Sequence, residues 1–371
     1  MKLVTPAPSK VKDLYYQKWD RFYCCYQSHY NNLGQQWPKI GSINGRIKSE
    51  IICVPYDDIK FNPLYNQFTL EEHLEYARQT EMFVIIDKTF EHVHDDDDIT
   101  ELHANLKKFG LLERCIVFDN TYNENLFDKH GIAHIYFPGY VFFYVMQRKI
   151  PKYSATPTNQ FLCLNNYHKI HRLAVIYKLK EMNVLKRTAW SYRSSINDAS
   201  GLHRIIPSFD RKILDMEFPK YLDQDATNFD QNANLDTLYE NAMSTIVTET
   251  DYFYTHTTFA TEKSLLALFF GTVPVFVSCP GTVNMLREQS LDVYDDMLDH
   301  SYDEEQDPIK RFEKIGPVIE QVASWRIYSQ IKSNLAVRSL RNQMLLTHQD
   351  HWIKIADHCG STFFDSNKIS I

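Results

Sequence analysis

Short runs of β-branched and aromatic residues alternate with polar stretches of helical period along most of the chain. Glu50–Pro55 (EIICVP), Met82–Asp87 (MFVIID), Arg114–Asp119 (RCIVFD) and Ile132–Pro138 (IAHIYFP) read as strands. Thr69–Thr80 and Asp98–Phe109 read as the helices between them. The first 45 residues show weak periodicity and read as an irregular lead-in. After a polar, Pro157-containing linker (Lys152–Asn159) a second alternating series begins. Its strands are Phe161–Leu164, Lys186–Ser191, Ser244–Thr248 and Val273–Val277, with helices from His168 to Met182 and from Glu262 to Phe270. Gly271 stands where a helix C-terminal glycine belongs. From Asp307 to His358 the pattern is helical, and this segment is expected to pack back across the first domain.

Strands alternating with helices imply parallel pairing. The fold class is therefore α/β, with two Rossmann-like doubly wound domains facing a cleft. The N-terminal, acceptor-side domain covers residues 1–157, and the C-terminal domain, with its terminal helices, covers 158–371. Ligands of such sheets sit at the carboxyl ends of the strands.

Composition narrows the class. The 371 residues are 44% hydrophobic and 23% charged, with 23 Phe and 23 Tyr, which is enough apolar material to exclude disorder. Seven scattered cysteines without a CxxC pair fit a reducing, cytoplasmic compartment. No signal peptide is evident, and the longest weakly polar run, Ser264–Cys279, is broken by Gly271 and Pro274, so no membrane partner is expected. A net charge of −7 opposes a surface wholly devoted to nucleic acid.

The charges are unevenly placed. Leu291–Asp307 holds eight Asp/Glu and no Lys/Arg, and reads as a solvated face. Phe161–Arg193 holds seven Lys/Arg against one Glu. The loop Asn165-Asn166-Tyr167 leads into a helix whose first turn carries His168, Lys169, His171 and Arg172. Cations there oppose the helix dipole, so either they point into water or an anion sits among them. At the second junction Thr261 reads as an N-cap, followed by Glu262 and Lys263. Glu262 suits the dipole as a capping acid, or would accept hydrogen bonds from ribose hydroxyls beside a phosphate-binding Lys263. Two such junctions point to a nucleotide diphosphate.

Thr261-Glu262-Lys263 followed by Gly271-Thr272-Val273-Pro274-Val275, with Leu164-Asn165-Asn166 and Arg172 before it, resembles the donor domain of fucosyltransferase-like glycosyltransferases. Pro280-Gly281-Thr282, Leu286-Arg287-Glu288, Asp295-Asp296, Ser301-Tyr302-Asp303-Glu304 and Asp307-Pro308 extend the likeness toward glycosyltransferases of bacteriophages and large DNA viruses. It covers residues 161–312, and Phe259 replaces the tyrosine that this family carries two residues before the Thr-Glu-Lys. The resemblance implies a GT-B-like enzyme that moves a sugar from a nucleotide-sugar to a hydroxyl acceptor. Asn165, Arg172, Thr261, Glu262 and Lys263 would hold the donor. No metal or resident cofactor is implied, because helix N-termini and basic side chains neutralise the leaving diphosphate. Viral relatives modify glycans or hydroxymethylated bases of their own DNA, so the acceptor is a glycan, a small molecule or 5-hydroxymethylcytosine DNA in a host cytoplasm. No protein partner is implied.

Three further expectations follow. Glu91, then Asp87 and Glu124, are candidate bases for the acceptor hydroxyl, since they follow first-domain strands. Lys186, Arg187 and Arg193, with Trp190 and Tyr192 between them, would supply charge and stacking to a DNA acceptor, or form an ordinary strand end. The run from Glu91 to Asp98, with His92 and His94, reads as a solvated loop, or as the metal site of a hydrolase. A catalytically inactive nucleotide-binding relative is the remaining alternative.

Overall fold

The computed structural model describes residues 2–4, 50–55, 70–80, 83–88, 96–122, 127–136, 145, 151, 157–194, 199–210, 216, 218–220, 222, 235–255, 257–325, 328–348 and 351. The chain divides into two compact units, Met1–Phe143 with Asp350–Ile371, and Tyr144–Gln349.

Unit 1 holds five parallel strands, β1 (Lys2–Val4), β2 (Glu50–Pro55), β3 (Phe83–Lys88), β4 (Cys115–Asp119) and β5 (His134–Tyr136), hydrogen-bonded in that order. Its helices are α1 (Leu70–Thr80) and α2 (Asp96–Lys108). The pattern predicts a doubly wound sheet, and this one is different. Among the described strands, spatial order equals chain order, so there is no reversal and no switch point. Right-handed crossovers that always advance in one direction lay their helices on a single face. Accordingly, Leu74 and Ala77 of α1 share one buried cluster with Ile99, Leu102 and Leu106 of α2. Asp96, Asp97 and Asp98, read as part of a loop, form the first turn of α2, where their charge suits the helix dipole.

Unit 2 carries β6 (Asn159–Asn165), α3 (Ile170–Glu181), β7 (Thr188–Tyr192), α4 (Leu235–Glu240), β8 (Ala242–Thr248), α5 (Glu262–Phe269), β9 (Val273–Val277), α6 (Thr282–Glu288), α7 (Pro308–Ser324) and α8 (Tyr328–Thr347). The four parallel strands run in the order β7-β6-β8-β9. Here the order does reverse. The chain moves from β6 to β7, then returns past β6 to β8, which makes the carboxyl ends of β6 and β8 a topological switch point. Every residue of β7, β8 and β9 is buried, as expected of apolar runs covered on both faces. Helix α5 stops at Gly271, whose φ of 62° is left-handed, with Thr272 N donating to Ala267 O at 3.1 Å.

Within unit 2 the last two helices pack α7 against β9 and α8 against α5. The acidic run is not a plain solvated face either. Asp292 and Asp296 pair with Arg338 on α8, Asp295 pairs with Arg287 at 2.7 Å, and Asp307 caps α7 through Ile309 N and Lys310 N. Buried Asp303 accepts from Val283 N and Asn284 N at the start of α6. These acids are fasteners.

Two histidines are held neutral by burial. His134 on β5 stacks on Phe127 with ring centroids 3.9 Å apart, and desolvation pushes its pKa down to about 3. His171 on α3 is likewise pushed down to about 3, by desolvation first and by Arg172 second. The unfolded chain takes up these protons near pH 6.5, whereas the folded one does not until about pH 3. Stability conferred by neutral burial is therefore fully present above pH 6.5 and is lost as pH falls toward 3. In that window each histidine lowers stability by roughly 1.4 kcal/mol per pH unit. Urea midpoints between pH 7 and 4 check this, and a shallower profile in the His171→Gln, His134→Gln double variant is the expected control.

Candidate functional site

The candidate site lies at the switch point of unit 2. Asn165 closes β6, but its amide is fully engaged within the sheet. It donates to Ser191 O on β7 at 3.2 Å and accepts from Thr248 Oγ1 on β8 at 2.7 Å. Asn165 is 1% exposed, so its side chain is a strut between strands rather than a group offered to a donor. Cys163 beneath it is inert, its thiol pushed up to about 12 by burial.

Helix α3 starts without a side-chain cap, and no acid lies in its first turn. Lys169 points neither into water nor at an open anion site. Its Nζ donates to Thr250 O at 2.6 Å and lies 3.2 Å from Asp251 Oδ1. Arg172 is buried at 3% exposure. Its Nη1 donates to Tyr167 O at 3.1 Å and its Nη2 to Glu249 O at 3.3 Å. Its Nε is buried and has no hydrogen-bond partner among the described residues. Desolvation holds the guanidinium pKa below its usual value, opposed first by the charge of Glu249 and then by Glu262. A buried guanidinium with an idle donor is costly unless something accepts from it.

Glu249, one residue past β8, is the hub that the sequence did not reveal. Its carboxylate accepts from Thr261 N at 3.0 Å, Thr261 Oγ1 at 2.6 Å, Ser264 Oγ at 2.5 Å and Thr250 N at 3.2 Å. Thr261 caps α5, as expected, by accepting from Lys263 N. Lys263 Nζ lies 3.2 Å from both Thr261 Oγ1 and Glu262 Oε1, and the Glu262 and Lys263 side chains are each 22% exposed. Arg172, Thr261, Glu262 and Lys263 thus gather around Glu249. Lys169, Arg172 and Lys263 are matched by Glu249, Asp251 and Glu262, which leaves the cradle neutral.

A buried stack supports the loop after β8. Tyr252 packs with the His171 ring, 5.5 Å away, and with the Arg311 guanidinium, 4.3 Å away. Arg311 is 1% exposed and donates to Glu305 O, Gln306 O and Tyr252 O. No carboxylate pairs with it among the described residues.

The basic acceptor patch does not form. Lys186 and Arg187 sit in the 3-10 turn before β7, whereas Arg193 follows its carboxyl end. Five strand residues at ~3.3 Å each separate the two rims by about 16 Å. Arg187 is drawn to Ala323 O, and only Arg193 shares the rim of the candidate site. Trp190 and Tyr192 offer no stacking surface. Both are buried against Phe218, and the Tyr192 hydroxyl and His168 Nδ1 share a hydrogen bond of 2.6 Å. In unit 1, Asp87 lies next to last on β3, at the carboxyl end of the sheet. Glu91, His92, His94 and Glu124 lie outside the described residues. Among the described residues, no group of three or more His, Cys, Asp or Glu is placed to hold a metal ion.

A cavity of about 920 Å³ opens beside α6. Asp295, Asp296, Asp299, Asp303 and Glu304 line it, and its Arg287 is held by Asp295. That charge makes it the wrong place for a diphosphate.

No family model matches the chain, and no curated protein matches it significantly. Among solved structures, it is similar to the DNA-modifying enzyme β-glucosyltransferase, determined with and without its substrate uridine diphosphoglucose, at a TM-score of 0.39 and 11% identity over 83% of this chain and 81% of that one. No described helix is long and apolar enough to cross a membrane.

Of Glu249 and Arg311, Glu249 alone left a signal in the sequence, and a faint one. An acid directly after a buried strand, facing a Thr-Glu-Lys helix start, was the signal for Glu249. Arg311 carried none, because KRFEK reads as an ordinary helix surface.

Proposed function

We propose that the chain is a glycosyltransferase that holds the diphosphate of a nucleotide-sugar at the switch point of unit 2. The observation that carries this reading is Arg172, buried at the uncapped start of α3 with an idle Nε. The start of α5 is less inviting to an anion, since Glu249 and Glu262 already stand there. Arg172 is therefore the main phosphate ligand, and Lys263 is the second, swinging from Glu262 when the donor arrives. In the reaction the acceptor oxygen attacks the anomeric carbon and loses its proton to a carboxylate base. The bond from that carbon to the diphosphate oxygen breaks, and the diphosphate leaves with the electron pair. Arg172 and Lys263 stabilise the charge it gains. Glu91 is the first candidate for that base, with Asp87 and Glu124 behind it. The acceptor is a hydroxyl, with 5-hydroxymethylcytosine DNA and glycans the classes to try first.

The neutral cradle favours a second reading, a nucleotide-binding protein without transfer activity. Thermal stabilisation by a panel of nucleoside diphosphates tests both, because a ligand of the folded state raises the melting temperature by mass action. Slow release of sugar from a stabilising nucleotide's sugar ester, without acceptor, separates them. Stabilisation with hydrolysis is the result expected; stabilisation without it favours the binding protein. No stabilisation by any diphosphate overturns the donor site.

A further inference from the structure

We propose that Glu249 is an internal counter-anion that competes with a bound diphosphate for Arg172, and so limits how tightly that diphosphate is held. This rests on the reading of Arg172 as a diphosphate ligand. Glu249 is 1% exposed, and its four hydrogen-bond partners are an N–H of Thr250, the N–H and hydroxyl of Thr261, and the hydroxyl of Ser264. All four can donate at once only to the ionised carboxylate. A fixed negative charge therefore stands in the interior of the cradle, where low polarisability lets charges act strongly on one another.

Contact between the two residues runs through the Glu249 carbonyl, 3.3 Å from Arg172 Nη2, while the carboxylate reaches toward α5. Among the described residues no direct ion pair saturates Arg172, and the negative charge of Glu249, ahead of Glu262, favours its charged form. The arrangement stabilises the empty site by balancing a buried cation. A diphosphate entering beside Arg172 gains the guanidinium but meets the carboxylate. Were α5 alone in need of a cap, Thr261 would suffice, since its hydroxyl already accepts from Lys263 N. The added carboxylate has a kinetic use. Release of the nucleoside diphosphate often limits turnover, and a cradle that repels its product empties faster.

The test is calorimetric titration of the full-length protein and its Glu249→Gln variant with pyrophosphate and with the nucleoside diphosphate that stabilises the wild type. Gln keeps the length of the side chain and one acceptor oxygen while removing the charge. Binding tighter by about tenfold, with a lower melting temperature in the absence of ligand, is expected from removing one nearby like charge. Unchanged or weaker binding overturns the proposal. Ser264→Ala loosens the carboxylate without discharging it and should not tighten binding; tightening equal to that of Glu249→Gln would mean that packing, not charge, is responsible, and also overturns it. If Glu249→Gln fails to fold, Glu249→Asp retains the charge and draws it back toward the main chain that Arg172 touches. That variant should bind pyrophosphate no better than wild type, and tighter binding counts against the proposal. Failure of both wild type and Glu249→Gln to bind any diphosphate removes the donor-site reading itself, and this inference with it.

Discussion

Replacing Arg172 with Met weakens nucleoside diphosphate binding by about 1.5–3 kcal/mol, roughly ten- to a hundredfold, the worth of a charge-assisted hydrogen bond. Met fills much of the same volume beside Leu173 and Ala174, so the fold is expected to survive. The loss should exceed that in Lys263→Ala, because Lys263 is partly exposed and already paired with Glu262 at 3.2 Å, which a phosphate would have to displace. Titration calorimetry of both variants supplies the comparison. Wild-type affinity in Arg172→Met would place the diphosphate elsewhere.

Replacing Arg311 with Met lowers stability by about 3–5 kcal/mol, a range set by breaking a buried charged hydrogen-bond network. The guanidinium serves three backbone carbonyls and covers one face of Tyr252. Met covers part of the ring and none of the carbonyls, which are then buried unsatisfied. At roughly 2–4 °C per kcal/mol for a unit of this size, the melting temperature falls by about 10 °C. Calorimetry or urea unfolding reads the effect. A change below about 1 kcal/mol would mean that water replaces the guanidinium at these carbonyls, and the stack would lose its structural importance.

Much of this architecture was legible in the pattern of residues. FLCL and VPVFV are continuous apolar runs and STIVT is rich in β-branched residues, a pattern that suits strands buried on both faces, and each became a central or covered strand of unit 2. The start and stop of α5 were legible because Thr261 and Gly271 have local physical reasons to be there. Strand order was not legible. Nothing within EIICVP or MFVIID states on which side the next strand will land, and so the one-directional sheet of unit 1 could not be told from a doubly wound one. Lys2–Val4 was missed because three residues ahead of two prolines carry no alternation to detect.

In the site, the helix-start cations were visible, but their partners were not. Lys169 meets Asp251 and Arg172 meets Glu249 across 82 and 77 residues of chain, and neither separation has a sequence signature. Trp190 and Tyr192 read as a stacking surface or an ordinary strand end, and their burial follows from Phe218, a residue that belongs to no regular element. The split between Arg187 and Arg193 was readable in principle. One precedes the strand and the other follows it, and side chains at opposite ends of a parallel strand cannot share a rim.

The stack of His171, Tyr252 and Arg311 has a consequence for the order in which unit 2 is built. Its members come from α3, the loop after β8 and α7, and Arg311 reaches Tyr252 across 59 residues. Contacts of such range are made only after long loops have closed, which delays them relative to local helices and turns. During synthesis all four strands of the sheet emerge before Arg311 does. The chain at that stage has every strand it needs and nothing to press Tyr252 against His171. The cradle is therefore a late product of folding, and its geometry belongs only to the finished unit.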